Sequence, residues 1–179
     1  MRFKTKELTL IGILAAIIAV SGLFKLPGIF PGTEFQLSAP IAVAILGCFG
    51  FKRYILAGIV ASGITFITGI HTVLNVVTAM SFRIVAGGVA MVIGNGAIGL
   101  TAAGPIGTAG ARFVLAGITG AEVSALLAAA LPGMLYTAVS SYILSVVLRK
   151  IIEQTPFKEY LWVEKKVLIG SKSKSYMVK

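Results

Sequence analysis

Two arginines lie inside long apolar stretches of this sequence and are the residues best suited to chemistry. Arg83 and Arg112 each fall near the middle of a stretch that otherwise lacks Lys, Arg and acidic residues. Placing an arginine at the centre of a bilayer costs at least about 2.5–3.5 kcal/mol, so such residues face a bundle interior, a partner or a water-filled cavity. Glu122 and Glu34 are the candidate counter-ions. Two interpretations stay open: structural ion pairs between helices, or binding of an anionic group such as a carboxylate.

A polar stripe leads towards the first of these arginines. Asn75, Thr78 and Phe82 are spaced by three and four residues, which places them on one side of a helix, and Arg83 continues the stripe within a turn. Asn75 needs a partner because an amide in an apolar helix is costly to leave unsatisfied. His71, just before the stripe, suits either a helix end or a ligand. The stripe therefore predicts a polar cavity whose wall includes Asn75, Arg83 and, as a candidate, His71.

Other polar residues fall towards the same predicted side of the membrane. Glu34 and Gln36 follow a loop with two Pro-Gly pairs, and both pairs are strong helix breakers. Tyr136 lies well inside the last apolar stretch, where it suits either core packing or a ligand-facing ring and hydroxyl. We include Glu34, Gln36, Arg112 and Tyr136 among the candidate substrate-binding residues.

The sequence contains no recognisable catalytic or metal-binding motif. It has one Cys, one His and no Asp, and it has neither a Walker A sequence nor H-E-x-x-H. Ser62 and His71 come nearest to a serine hydrolase pair, but the glycine expected two residues before the serine is missing. We therefore predict no enzyme, no catalytic residue, no metal site and no cofactor. The spans also lack a carboxylate network for ion coupling, so any active transport points to a partner motor.

The composition is that of an integral membrane protein. Of the 179 residues, 57% are hydrophobic and 12% are charged, about half the charged fraction of a soluble domain. Mean hydropathy is +0.97. In lipid every backbone polar group must be satisfied within the chain. The apolar runs are long and do not alternate, which favours helices over a closed barrel.

The apolar runs predict a bundle of six transmembrane helices, all α, in a domain over residues 1–152. A basic cytoplasmic tail is predicted for residues 153–179. Five spans are the alternative count, because glycines blur the start of the fifth run and Arg112 lies inside it. The predicted spans are approximately 8–24, 35–51, 54–70, 71–93, 106–118 and 123–148.

Basic residues are distributed unevenly between the two predicted sides. All 16 Lys and Arg residues except Lys25, Arg83 and Arg112 fall on the side of the two termini. The positive-inside rule then predicts that both termini are cytoplasmic, in the cell membrane of a prokaryote. The cations flank apolar runs, so membrane orientation explains them better than nucleic-acid binding does.

Small residues mark one face of the first predicted helix. Ala15 and Ala19 lie one turn apart and form a small-xxx-small pair, which permits close approach of another helix. From the pattern alone, that helix belongs either to this chain or to a second protein.

At this point the chain resembles a known family, the S components of energy-coupling factor (ECF) transporters. The resemblance rests on three features: the opening Lys4-Thr-Lys-Glu-Leu-Thr-Leu-Ile11 leading into Ala15-x-x-x-Ala19, the Pro-Gly loop after the first span, and Pro132-Gly133 in the last span. It covers approximately residues 4–152. The tail after Pro156 departs from it by being longer.

The resemblance implies a substrate-binding subunit of an ECF-type ABC importer. S components bind a vitamin or similar micronutrient near the outer face. Their first helix contacts a transmembrane coupling subunit that two ATPase subunits drive. By this resemblance Ala15 and Ala19 become the docking face, and the pocket candidates are Glu34, Gln36, Asn75, Arg83 and Tyr136.

The sequence leaves the ligand open. The segment Glu34-Phe-Gln-Leu-Ser38 with Asn75 resembles the tryptophan-transporter branch, whereas a vitamin with a carboxylate suits the arginines. Two alternatives to an S component also stay open: a self-contained secondary carrier or channel, and a structural subunit of a membrane complex without a ligand.

Overall fold

The computed structural model describes residues 4–27 and 34–162, which form helices and one short antiparallel ribbon. In the ribbon, Lys25 pairs with Gln36 and Pro27 with Glu34. A 3-10 helix follows the last α-helix. In chain order the elements are α1 Thr5–Ser21, β1 Lys25–Pro27, β2 Glu34–Gln36, α2 Ser38–Ile67, α3 Val73–Ile93, α4 Ala97–Thr119, α5 Val123–Glu153 and the 3-10 helix Pro156–Tyr160.

The prediction of six transmembrane helices is wrong. The described residues form five α-helices, and four of these, α2 to α5, are long and apolar enough to cross a membrane. The predicted second and third spans, 35–51 and 54–70, belong to the single 30-residue element α2. Lys52 and Arg53 suggested a loop between them, but charged side chains do not by themselves end a helix, and both residues lie within α2.

Helix α2 bends back on itself at Gly50. That residue has a φ of +75°, which glycine adopts without the strain that a β-carbon causes, and it is the non-helical residue inside α2. Ser38 and Thr65 lie near opposite ends of α2, yet both line one cavity. In a straight helix they would be about 40 Å apart. The bend therefore places the two halves of α2 side by side.

The bend leaves backbone carbonyls without helical partners, and three later residues bind them. Asn95 Nδ2 and Arg149 Nη2 each donate to Gly47 O at 3.3 Å, and the Trp162 N–H donates to Cys48 O at 2.6 Å. Trp162 O in turn accepts from Asn95 Nδ2 at 3.2 Å and from Arg149 Nη2 at 3.0 Å. We call Asn95, Arg149 and Trp162 the bend clamp, since they connect the α3–α4 turn, α5 and the chain end at the bend.

Arg53 connects the start of α1, the bend region and the 3-10 helix at one end of the bundle. Arg53 Nε lies 3.0 Å from Glu7 Oε1, and Arg53 Nη1 donates to Tyr160 O at 3.1 Å. The Arg53 guanidinium also lies 4.9 Å from the centroid of the Tyr160 ring. The beginning of the predicted tail thus packs on the bundle, while residues 163–179 lie outside the described residues. We call this end, with Lys52, Arg53, Arg149 and Lys150, the basic end.

The outside of the bundle is apolar. Ile67, Val92 and Ile98 are 85%, 87% and 78% exposed in the isolated chain. Large exposed apolar areas are unfavourable in water and suited to lipid. Together with the four apolar helices, this surface identifies the chain as a membrane protein.

Candidate functional site

One cavity of about 260 Å³ opens among the five helices. This volume lies just below the range of about 300–1,000 Å³ typical of ligand pockets, so it suits a small molecule. Much of its wall is alanine, glycine and other small residues. The polar residues that line it are Ser38, Ser62, Thr65, His71, Asn75, Thr78, Arg83, Thr108, Arg112 and Thr137.

The cavity lies at the end of the bundle opposite the basic end. Helix α1 starts near the Arg53–Glu7 pair and ends at Ser21, and the next residue, Gly22, lines the cavity. Ser38 at the start of α2 and His71 in the α2–α3 turn also line it. The chain reversals that flank the cavity are therefore separated from the basic end by the length of α1.

The α3 stripe predicted from the sequence reaches from the exposed part of this cavity to its buried part. Asn75, Thr78, Phe82 and Arg83 all line it. Thr72 Oγ1 caps the helix by accepting from the Asn75 N–H at 3.4 Å. Asn75 is exposed whereas Arg83 is 7% exposed, and the eight positions between them correspond to about 12 Å along the helix axis. Asn75 thus marks the mouth and Arg83 the floor.

Arg83 has few partners for a buried cation. Its Nη1 donates to Ser62 Oγ at 3.0 Å and lies 3.8 Å from Met80 Sδ. Its Nε–H is buried and has no hydrogen-bond partner among the described residues. Gly58 makes room for this side chain, because a β-carbon there would collide with Cδ and Nε of Arg83.

Tyr54 adds a second unsatisfied polar group beside Arg83. It is fully buried one turn before Gly58, is close enough to Arg83 to interact electrostatically, and its hydroxyl has no partner among the described residues. Buried polar groups without a partner are rare, and a bound water or ion is one explanation for them. Tyr54 itself does not line the cavity. The region around Arg83 therefore contains two polar groups, Arg83 Nε–H and the Tyr54 hydroxyl, without hydrogen-bond partners among the described residues.

No described carboxylate neutralises the two arginines in the cavity. Glu122, a predicted counter-ion, accepts from the Ser124 hydroxyl, and Glu7 pairs with Arg53. Among the described side chains, neither Arg83 nor Arg112 forms an ion pair. The interpretation as a structural ion pair with Glu122 is therefore not what the structure shows, and an anionic ligand stays open.

The remaining candidate residues lie in different positions relative to the cavity. Arg112 lines the cavity from α4. Tyr136 is not part of the lining, although Gly133 and Thr137 on the same helix are. Glu34 and Gln36 belong to β2, but their side chains fall outside the described set. Binding by any of these residues stays a prediction.

Ala15 and Ala19, the predicted docking pair, face the interior of this chain. Ala15 is completely buried in the core and Ala19 lines the cavity. This arrangement is the internal-packing alternative. A partner that approached α1 would meet its outward side, which carries Ile13, Ile17 and Val20.

Sequence reasoning missed Gly58 as a residue of the site, and it considered Ser62 only as a hydrolase residue. Their separation of four places them one turn apart on the same face of α2, a small-xxx-small spacing that could have drawn attention to them. That spacing does not name Arg83 as the group they accommodate. Arg83 is 21 residues from Ser62 in sequence, and only the packing of α3 on α2 brings them together.

Comparison with known proteins shows the family. No family model matches the chain. It is 51% identical over 141 residues to protein BioX of Lysinibacillus sphaericus, and the matched region covers 79% of this chain and 85% of that protein. At this identity and coverage the chain belongs to the BioX protein family.

Proposed function

We propose that this chain is a membrane-embedded substrate-binding protein for the import of a biotin-related small molecule. The name of its relative, BioX, suggests a biotin-related role. The observation that carries the proposal is a polar cavity inside an apolar bundle, with the nearly buried cation Arg83 at its floor. A charge kept in a membrane interior is expensive and usually serves a substrate or ion.

The charge distribution supports an outward-facing cavity. Lys52 and Arg53 at the bend, with Arg149 and Lys150 at the end of α5, lie at the end opposite the cavity. By the positive-inside rule this end faces the cytoplasm of a prokaryotic cell. Under the proposal both termini are cytoplasmic, and the cavity captures its ligand from the outside.

Energy for import is proposed to come from partner proteins. The sequence has no nucleotide-binding motif, and the resemblance to S components implies a transmembrane coupling subunit and two ATPase subunits. Docking to this chain is then expected on the exposed apolar side of α1, where Ile13 and Ile17 are 44% and 40% exposed.

A ligand panel on the detergent-purified chain tests the proposal. Biotin at submicromolar concentration is expected to raise the melting temperature, because a ligand that binds only the folded state stabilises it by mass action. Tryptophan and other vitamins serve as comparisons. If no panel member shifts the melting temperature, the chain is better explained as a structural subunit.

Reconstitution separates a binding subunit from a self-contained carrier. Liposomes that hold the chain alone are expected to show biotin binding without net uptake. Adding the coupling and ATPase subunits with ATP is expected to start uptake. Flux through the chain alone would contradict the need for a partner motor.

A further inference from the structure

The floor of the cavity is built around one guanidinium. Arg83 is 7% exposed, lines the cavity, and has one neutral hydroxyl and one sulfur as its partners among the described residues. Its Nε–H has none, but this atom is buried where a β-carbon of Gly58 would lie, so it faces α2 and is not open to the cavity. The donors left for a ligand are those of the terminal nitrogens, which in a planar guanidinium match the two oxygens of a carboxylate. The terminal nitrogens of Arg83 are therefore suited to a carboxylate more than to an uncharged group.

Two small residues on α2 determine where this guanidinium lies. Gly58 leaves space for Cδ and Nε of Arg83, which a β-carbon would occupy. One turn later, the Ser62 hydroxyl accepts from Nη1 at 3.0 Å. Neither residue carries charge, so both can orient Arg83 without neutralising it.

The mouth of the cavity has a different chemistry. Asn75 is exposed there, and its side-chain amide makes no hydrogen bond to a described residue. It lies about 12 Å from Arg83 along α3, and Thr78, Ala79 and Phe82 line the cavity between them. The Thr78 hydroxyl donates to a backbone carbonyl of its own helix. An elongated ligand along α3 would thus meet a cation at the floor, a largely apolar middle, and an amide at the mouth.

We infer that the ligand binds with its carboxylate inward against Arg83 and its hydrogen-bonding head group outward at Asn75. Gly58 and Ser62 are positioning residues that hold Arg83 for this contact. The inference rests on the proposed function and adds the ligand class, a small elongated carboxylic acid, and its orientation. Biotin has this form, with a carboxylate on an aliphatic chain and a ureido ring at the other end.

Paired ligands and paired variants test the carboxylate contact by calorimetry on the full detergent-purified chain. Biotin and biotinamide differ in charge at one end, and we expect the chain to bind biotin roughly 10- to 100-fold more tightly. Arg83→Gln should lower biotin affinity by about that factor and leave biotinamide affinity within about threefold. Equal losses for both ligands would overturn the inference. The inference would also be overturned if Arg112→Gln lost the preference for biotin over biotinamide while Arg83→Gln kept it.

The positioning role has a matched control on α2 for Gly58 and one on α5 for Ser62. Gly58→Ala should reduce the ratio of biotin to biotinamide affinity, whereas Gly63→Ala, with open space around its β-carbon, should leave that ratio unchanged. Ser62→Ala should also reduce the ratio, and Ser140→Ala, which loses only a bond to Tyr136 O, should not. These variants keep Arg83 itself, so they decide the question if Arg83→Gln does not fold. An unchanged ratio in both Gly58→Ala and Ser62→Ala would refute the positioning role.

Two smaller probes test the carboxylate contact with Arg83 independently of whether the ligand is biotin. If neither biotin nor biotinamide binds, the biotin-related function fails. Pentanoate and pentanamide at millimolar concentration then test the floor of the cavity alone. Stabilisation by pentanoate that Arg83→Gln removes supports the carboxylate contact, and equal effects of the two probes overturn it.

Discussion

Burial of Arg83 takes a permanently charged group out of water and gives it one neutral hydroxyl, that of Ser62, among the described oxygen acceptors. An arrangement of this kind costs stability, because the lost hydration is replaced only in part. Arg53 has the opposite situation, since it bonds Glu7 Oε1 and Tyr160 O and lies against the Tyr160 ring. The two arginines therefore offer a comparison between an unpaired buried cation, which we propose serves a ligand, and a paired cation that contributes to the fold.

The first prediction is that Arg83→Met stabilises the ligand-free chain. Removing an unpaired buried cation in favour of an apolar side chain is expected to increase the free energy of unfolding by about 1–3 kcal/mol. Arg53→Met should instead decrease it by about 1–2 kcal/mol, because it removes an ion pair and a cation–π contact. Thermal unfolding in detergent without ligand measures both. A large loss of stability in Arg83→Met would show that Arg83 is structural.

A second prediction concerns Asn75 and Asn95, which have the same side chain and different roles. Asn95→Ala removes the donor to Gly47 O and Trp162 O and should decrease the free energy of unfolding by about 1–3 kcal/mol. Asn75→Ala removes no described side-chain hydrogen bond, so ligand-free stability should change by less than about 0.5 kcal/mol. Asn75→Ala should lower ligand affinity more than Asn95→Ala does. Calorimetry and thermal unfolding on both variants check this, and equal effects would contradict it.

At the scale of elements, the bend in α2 forms the site. It places the half that carries Gly58 and Ser62 next to α3, and it brings Ser38 at the other end of α2 to the same cavity. The bend needs a positive φ at Gly50, and its free carbonyls need the donors of the bend clamp. The chain after α5 therefore takes part in shaping a helix more than a hundred residues earlier.

The third prediction is that Gly50→Ala destabilises the chain by about 1–3 kcal/mol. An L-residue with a β-carbon is strained by about this amount at a φ of +75° with a ψ of 171°, a region that essentially only glycine adopts. Gly63→Ala, at a helical position with open space around its β-carbon, should be neutral or stabilising by up to about 1 kcal/mol. Thermal unfolding of the two variants gives the comparison. Equal stability would mean that the bend does not depend on glycine.

At the scale of the whole molecule, the charged residues of the basic end lie far from the cavity, whose own charged lining residues are Arg83 and Arg112. The salt bridge of Arg53 and the bend clamp lie at the basic end, and the cavity opens at the other end among apolar helices. Under the proposed function, the basic end faces the cytoplasm and the partner proteins, and the cavity faces the ligand outside.

The fourth prediction assigns the two ends to compartments. In intact cells a membrane-impermeant maleimide should label Ala121→Cys, in the exposed α4–α5 turn at the cavity end. Lys158→Cys, in the 3-10 helix, should be labelled only after permeabilisation. The natural Cys48 is buried and should contribute little background. The reversed labelling pattern would place the cavity on the cytoplasmic side and contradict capture from outside.

The lipid environment and the polar stripe of α3 could both be predicted from local features of the chain. Long apolar runs with few charges require lipid, and three- and four-residue spacing is a local property of a helix, so Asn75, Thr78, Phe82 and Arg83 could be placed together from the sequence alone.

The helix count, the surroundings of the small residues and the partner of Arg83 depend on how the helices pack, and the sequence did not predict them. Charges at Lys52 and Arg53 predicted a break that falls instead at Gly50, inside α2, because backbone conformation and not charge ends a helix. Ala15 lies in the core and not on a docking surface, and Gly58 leaves room for the Arg83 side chain. The sequence did not predict either contact, because a small residue does not specify what packs against it. Contacts between helices that are distant in sequence depend on how whole helices pack, and residue spacing within one helix does not predict that packing.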